Sequence, residues 1–149
     1  MRKIILIGRS GSGKSTLTQV MNQQEIEYKK TQTMEYYNSI LDTPGEYLEN
    51  PRFYKALITA SYDCDVIGLV LDCTDDRSLY PPNFASIFNK PTIGIITKID
   101  LKPDNVTWHE ECLRAAGAEE IFSVSSYNHE GINQVQEYLT NSMLYHTLR

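Results

Sequence analysis

The sequence predicts an α/β protein of three layers, with a mainly parallel sheet of five to six strands flanked by helices. Three observations predict it. Apolar runs of strand length recur at 4–7, 39–41, 66–71, 92–96 and 120–124. Helical or polar stretches separate them, and such alternation builds a parallel sheet covered on both faces. The first run is joined to a helical pattern by a glycine-rich loop, Gly8-Arg9-Ser10-Gly11-Ser12-Gly13-Lys14-Ser15, which fits G-x-x-x-x-G-K-[ST]. Right-handed crossovers bring the carboxyl ends of parallel strands to one edge, where ligands bind, so the motifs that follow strands are expected to converge there.

Ile4-Ile5-Leu6-Ile7 is apolar throughout and rich in β-branched residues, as a strand buried on both faces requires. In the loop, Gly8, Gly11 and Gly13 permit backbone conformations that a Cβ would forbid, so successive N–H groups of Gly8 to Ser15 can face phosphate oxygens. The helix that begins near Thr16 adds its partial positive charge, which places Thr16 in the nucleotide-binding set. Lys14 is expected to reach the β- and γ-phosphates, and the Ser15 hydroxyl to ligate Mg²⁺. The implied ligand is a nucleoside triphosphate.

Further along, helical spacing appears over 53–62 (Phe53, Ala56, Leu57, Ala60) and 132–144 (Ile132, Val135, Leu139, Met143). A third helix is expected over 108–116, with Thr107 as N-cap and Glu110 completing a capping box. Pro81-Pro82 leaves room for only a short helix in 79–88. Asp42-Thr43-Pro44-Gly45 follows a strand end as D-x-x-G, in which Asp42 contacts Mg²⁺ and the Gly45 N–H senses the γ-phosphate. Thr97-Lys98-Ile99-Asp100 fits [NT]-K-x-D. The Asp100 carboxylate can accept from both N1–H and the exocyclic amine of guanine, whereas adenine has no donor at N1. The aliphatic stem of Lys98 can lie along the base plane. Ser125-Ser126 follows the next strand, where a backbone N–H can meet guanine O6.

The chain of 149 residues is expected to form one domain, 1–149, and is large enough to bury a core without disulfides or a structural metal. A net charge of −5, with lysines and arginines scattered, provides no basic face for nucleic acid or an anionic membrane. No apolar run reaches membrane-spanning length, and the first strand starts directly after Met1-Arg2-Lys3, so a cytoplasmic protein is expected. Cys64, Cys73 and Cys112 lack metal-ligand spacing and are read as reduced thiols, and His109, His129 and His146 form no ligand cluster. Tyrosines crowd the stretch 28–80 (Tyr28, Tyr36, Tyr37, Tyr47, Tyr54, Tyr62, Tyr80), suiting either an interface or packing.

The four ordered motifs resemble a Ras-like or Era-like GTPase domain, a P-loop NTPase fold in reduced form. Tyr28-Lys29-Lys30-Thr31-Gln32, Asp42-Thr43-Pro44-Gly45-Glu46-Tyr47-Leu48-Glu49-Asn50, Asp65-Val66-Ile67 and Thr97-Lys98-Ile99-Asp100-Leu101 together are more narrowly similar to the EutP/PduV family, with the PduV branch nearer. The resemblance implies a role in ethanolamine or propanediol utilisation, processes housed in bacterial microcompartments, with a shell or enzyme protein as a possible partner. It also implies that Thr31 supplies a second hydroxyl to Mg²⁺ and closes over the γ-phosphate, with Thr33 as the alternative.

Three departures from ordinary GTPases stand out. Only ten residues separate Thr31 from Asp42, too few for a full hairpin, so the sheet is expected to hold five parallel strands and a vestigial sixth. Glu46 stands where many GTPases carry a water-orienting Gln; it either repels the γ-phosphate, slowing hydrolysis, or faces solvent. Thr97 replaces the commoner Asn and Tyr127 the commoner Lys, which alters the support of the base loop. Arg9, within the loop, is read as a surface charge, with an arginine finger as the alternative. The leading expectation is a Mg²⁺-dependent protein that binds GTP/GDP or ATP and hydrolyses the triphosphate slowly, with Lys14, Thr31, Gly45 and Glu46 around the reacting phosphate. A phosphotransferase using a small carboxylate such as acetate, and a non-catalytic interaction protein, are the alternatives.

Overall fold

The computed structural model describes residues 2–22, 35–37 and 39–148. Among these, one six-stranded sheet runs in the order β2-β3-β1-β4-β5-β6. Its strands are β1 (Ile4–Ile7), β2 (Glu35–Tyr37), β3 (Ile40–Asp42), β4 (Val66–Asp72), β5 (Thr92–Thr97) and β6 (Glu120–Ser123). Five are parallel; β2 alone is antiparallel, pairing Glu35 with Asp42 and Tyr37 with Ile40. The vestigial sixth strand is thus a three-residue ribbon on β3. Thr31 and Thr33, with the rest of the segment 28–34, lie outside the described residues.

The period of two along each strand divides the core between the two faces of the sheet. Ile4 and Leu6 join Leu17, Val20, Ile132, Val135 and Leu139 on one face, under α1 (Lys14–Met21) and α5 (Ile132–Leu148). Ile5 and Ile7 join Leu57, Leu113, Tyr80, Phe84 and Phe88 on the other, under α3 (Tyr54–Ser61) and α4 (Val106–Ala115). A four-residue helix, α2 (Glu46–Glu49), which has no separate signature in the sequence, is anchored by buried Leu48. The short helix expected in 79–88 is a 3-10 turn, Phe84–Ile87.

The expected cap at Thr107 is corrected. A 3-10 turn, Pro103–Asn105, leads straight into α4, so Asn105 holds the cap position and Thr107 already lies in the first helical turn. Proline sets the backbone of this lead-in, and a residue inside the helix cannot cap it. Asn105 spends its side chain on the Cys73 carbonyl instead, at 3.3 Å.

Tyr80 belongs to the core. Its hydroxyl lies 2.7 Å from the Ile7 carbonyl and 2.8 Å from that of Val70, so it ties together the ends of β1 and β4 beside the glycine-rich loop. Burial pushes its ionisation far above the ordinary phenol range. The three cysteines are not joined by disulfides, and Cys64 and Cys73 are buried. No helix among the described residues is long and apolar enough to cross a membrane.

After β6 the chain returns through a Ser125–Glu130 bridge to Gly131, whose φ is 76°. A Cβ there would lie 2.1 Å from the Ser123 carbonyl oxygen, so only glycine fits both the conformation and the space. Gly131→Ala is expected to lower stability by about 2 kcal/mol or more, measured by urea unfolding. An unchanged midpoint would show that the turn relaxes freely.

Candidate nucleotide site

The loops following β1, β3, β4, β5 and β6 meet at the carboxyl edge of the sheet. The glycine-rich loop turns through left-handed residues Gly11 (φ 79°) and Gly13 (φ 96°) and delivers the chain into α1. Lys14 folds back beneath it: its Nζ donates to the carbonyls of Gly8, at 2.8 Å, and Arg9, at 3.1 Å. Burial pulls the Lys14 ammonium from 10.5 down to about 8, although Asp42 and Glu49 nearby favour the charged form. Ser15 Oγ donates to Asp42 Oδ2 at 2.6 Å. The two expected Mg²⁺ ligands are therefore brought together across α1 and β3, and a hydroxyl beside a carboxylate is the hard oxygen set that this ion prefers.

Gly45 is pressed against the loop, where a Cβ would stand 2.1 Å from Ser10 N. Glu46 is exposed at the head of α2. Arg9 departs from both readings made of it. Its guanidinium is part-buried against Asp75 in the loop after β4, as neither an open surface charge nor a group aimed at the phosphate cradle. Asp75 is itself held from below: its carbonyl lies 2.8 Å from Nε2 of buried His109, whose Nδ1 faces the Asn105 carbonyl at 2.7 Å. A lone histidine on a helix gave no sequence signal for this role.

Beside the cradle opens a cavity of about 350 Å³ lined by Gly13, Thr16, Thr97, Lys98, Asp100, Leu101, Ser126 and Tyr127. Thr97 Oγ1 donates to the Ser12 carbonyl at 2.6 Å, so this threonine, standing where Asn is commoner, joins the end of β5 to the phosphate loop. Lys98 makes a second tie, from Nζ to the Gly11 carbonyl at 2.8 Å and to Asp72 Oδ2 at 2.7 Å. Its φ of 60° is unusual for a long side chain, and strain of this kind persists where surrounding contacts over-determine the backbone.

Ser125 is engaged through both its backbone and its side chain. Its N–H is taken by the Glu130 carbonyl at 2.9 Å, and its hydroxyl donates to Asp100 Oδ1 at 2.8 Å. It orients the carboxylate, while Ser126 lines the cavity. Tyr127 is 82% exposed at the rim. A flat apolar ring left in water at the mouth of a pocket is well suited to cover a planar ligand.

The fold and this loop define a P-loop nucleotide-binding domain with the topology of the GTPases. Its place within that class is narrower. The chain belongs to the PduV-EutP family, described as "Ethanolamine utilisation - propanediol utilisation", whose profile matches residues 1–141. It is 39% identical over 140 residues to "Propanediol utilization protein PduV" of Citrobacter freundii, covering 93% of each chain. It is 33% identical over 144 residues to "Probable acetate kinase EutP" of Escherichia coli (strain K12), covering 95% of this chain and 91% of that protein. Among solved structures, that of Methanosarcina barkeri Roco2 RocCORdC bound to GDP superposes with a TM-score of 0.66 at 18% identity, covering 97% of this chain and 49% of that one. At that identity the likeness concerns the fold.

Proposed function

We propose that this chain binds guanine nucleotides with Mg²⁺ and hydrolyses the triphosphate slowly, in ethanolamine or propanediol utilisation at a bacterial microcompartment. The observation that carries the base preference is Asp100, a carboxylate on the cavity wall held at 2.8 Å by Ser125. A fixed carboxylate matches the paired donors of guanine and leaves its charge unmatched against adenine. Mg²⁺ would be held by Ser15 and Asp42, with Thr31 as a further ligand. When bound, the ion neutralises charge building on the phosphate oxygens.

The chain's own groups account for the rest. Loop N–H groups and Lys14 orient the phosphates and offer positive charge where it develops. Exposed Glu46 leaves water without an amide to align it, which supports slow turnover. That same feature favours a second reading, phosphoryl transfer to a small carboxylate, as the printed name of the Escherichia coli relative suggests for that protein. In that reaction a carboxylate oxygen of acetate attacks the γ-phosphorus. The bond to the β–γ bridging oxygen breaks, leaving acetyl phosphate and the nucleoside diphosphate.

One titration separates the readings. Purified protein with Mg²⁺ is given GTP, GDP or ATP, and affinity and phosphate release are followed with and without acetate. Guanine-selective binding with slow, acetate-independent release is expected. ATP preference with acetate-dependent formation of acetyl phosphate would replace the GTPase reading with the kinase. Tight binding without turnover would leave an interaction protein that uses nucleotide for stability.

A further inference from the structure

We infer that Glu49 is a specificity-determining residue that sets the chain against nucleoside triphosphates relative to diphosphates, by placing its carboxylate on the phosphate loop where a terminal phosphate would compete. The inference rests on the nucleotide reading above. Glu49 Oε1 accepts the backbone N–H of Ser10 at 3.1 Å, one of the loop donors that a phosphate oxygen is expected to take. The arrangement follows from α2. Residues four apart share a helical face, so Gly45 and Glu49 both face the loop, while Leu48 turns into the core and Glu46 into solvent.

Two contacts on that shared face seat the helix on the loop: the close approach of Gly45 to Ser10, and the carboxylate one turn later. The same carboxylate is near enough to Lys14 to favour its ammonium form, as a phosphate would. A carboxylate held by a loop amide and within electrostatic reach of the loop lysine imitates a phosphate oxygen in charge and in acceptor geometry. A bound γ-phosphate must displace it or repel it, whereas a diphosphate ends short of this position. An occupied donor lowers the apparent affinity of the ligand that needs it by the fraction of chains in which it is free.

The test compares the wild type with Glu49→Ala and Glu49→Gln, measuring affinities for GTP and GDP, and for ATP and ADP, by calorimetry at saturating Mg²⁺. Glu49 is exposed, so both variants are expected to fold. Triphosphate affinity is expected to rise about three- to tenfold in both, with diphosphate affinity held within about twofold. The Ser10 amide resonance of the nucleotide-free protein is expected to move in Glu49→Ala. Equal changes for di- and triphosphate, no change in either, or weaker triphosphate binding would overturn the inference while leaving the nucleotide reading in place. A wild type that binds none of the four nucleotides would overturn both.

Discussion

Lys14→Met is expected to abolish measurable nucleotide binding, a loss of at least about a hundredfold, and at the same time to make the free protein more stable. The two effects share one cause. Lys14 is buried at 6% exposure, and its ammonium is held by two carbonyls that take two of its three donors and return little of its hydration. Burial therefore lowers its ionisation from 10.5 to about 8. A lysine whose folded value lies below its unfolded one costs stability wherever both states carry the charge, which here means below about pH 8. Between about pH 8 and 10.5 the unfolded chain binds a proton that the folded chain has released, so wild-type stability rises across that window.

Methionine removes the charge at all pH values. Its advantage is expected to be about 1–2 kcal/mol near pH 7, after the loss of two hydrogen bonds, and to shrink as the pH climbs through that window. Taking the difference between the two chains cancels the thiols of Cys73 and Cys112 and the phenol of Tyr80, whose ionisation desolvation raises. Nucleotide affinity of the wild type runs the opposite way. Phosphate needs the ammonium, so binding is expected to weaken above pH 8 by up to about tenfold per unit, with proton uptake visible in buffers of different ionisation enthalpy. Denaturant melts of both chains at pH 7 to 10 check the first half and calorimetry the second. A stability difference that stays flat with pH would show that Lys14 is not a buried charge in the free state.

Much of this site was legible in the sequence because its parts are local. A strand, a glycine-rich turn and a lysine at fixed spacing announce a phosphate cradle, and the period of two in Ile4 to Ile7 already divides the core between two helical layers. Contacts between distant segments were not legible. Arg9 reaches Asp75 across 66 positions and Ser10 reaches Glu49 across 39, and no periodicity encodes either pair. Thr97 stands where Asn is usual, and its short hydroxyl spans to the Ser12 carbonyl because β5 brings the two within 2.6 Å. The cap placed at Thr107 failed for a local reason, since a proline-led 3-10 turn moved the start of α4 back toward Asn105. The contact of the Ser125 hydroxyl with Asp100 is between separate loops, set up by the bridge to Glu130 that takes the Ser125 N–H.

Asp100→Asn is expected to reverse the base preference. In the wild type one carboxylate oxygen takes the Ser125 hydroxyl, which fixes the rotamer, and the group sits on the wall of the cavity between Lys98 and Leu101. A carboxylate is acceptor-only, so a base offering two adjacent donors is matched and one offering an acceptor at that edge is repelled. Asparagine exchanges one acceptor for an NH₂ donor. Guanine then meets donor against donor at its exocyclic amine, whereas xanthine, which carries a carbonyl there, gains a partner. GTP affinity is expected to fall about a hundredfold and xanthosine triphosphate to become the better ligand, with ATP little changed. Ser125→Ala, which leaves the carboxylate in place but releases its rotamer, is expected to cost GTP about fivefold with the preference retained. Parallel titrations with the three triphosphates decide the matter. A variant that keeps the wild-type ratio of GTP to ATP would remove Asp100 from base recognition, and with it the strongest support for a guanine nucleotide over an adenine one.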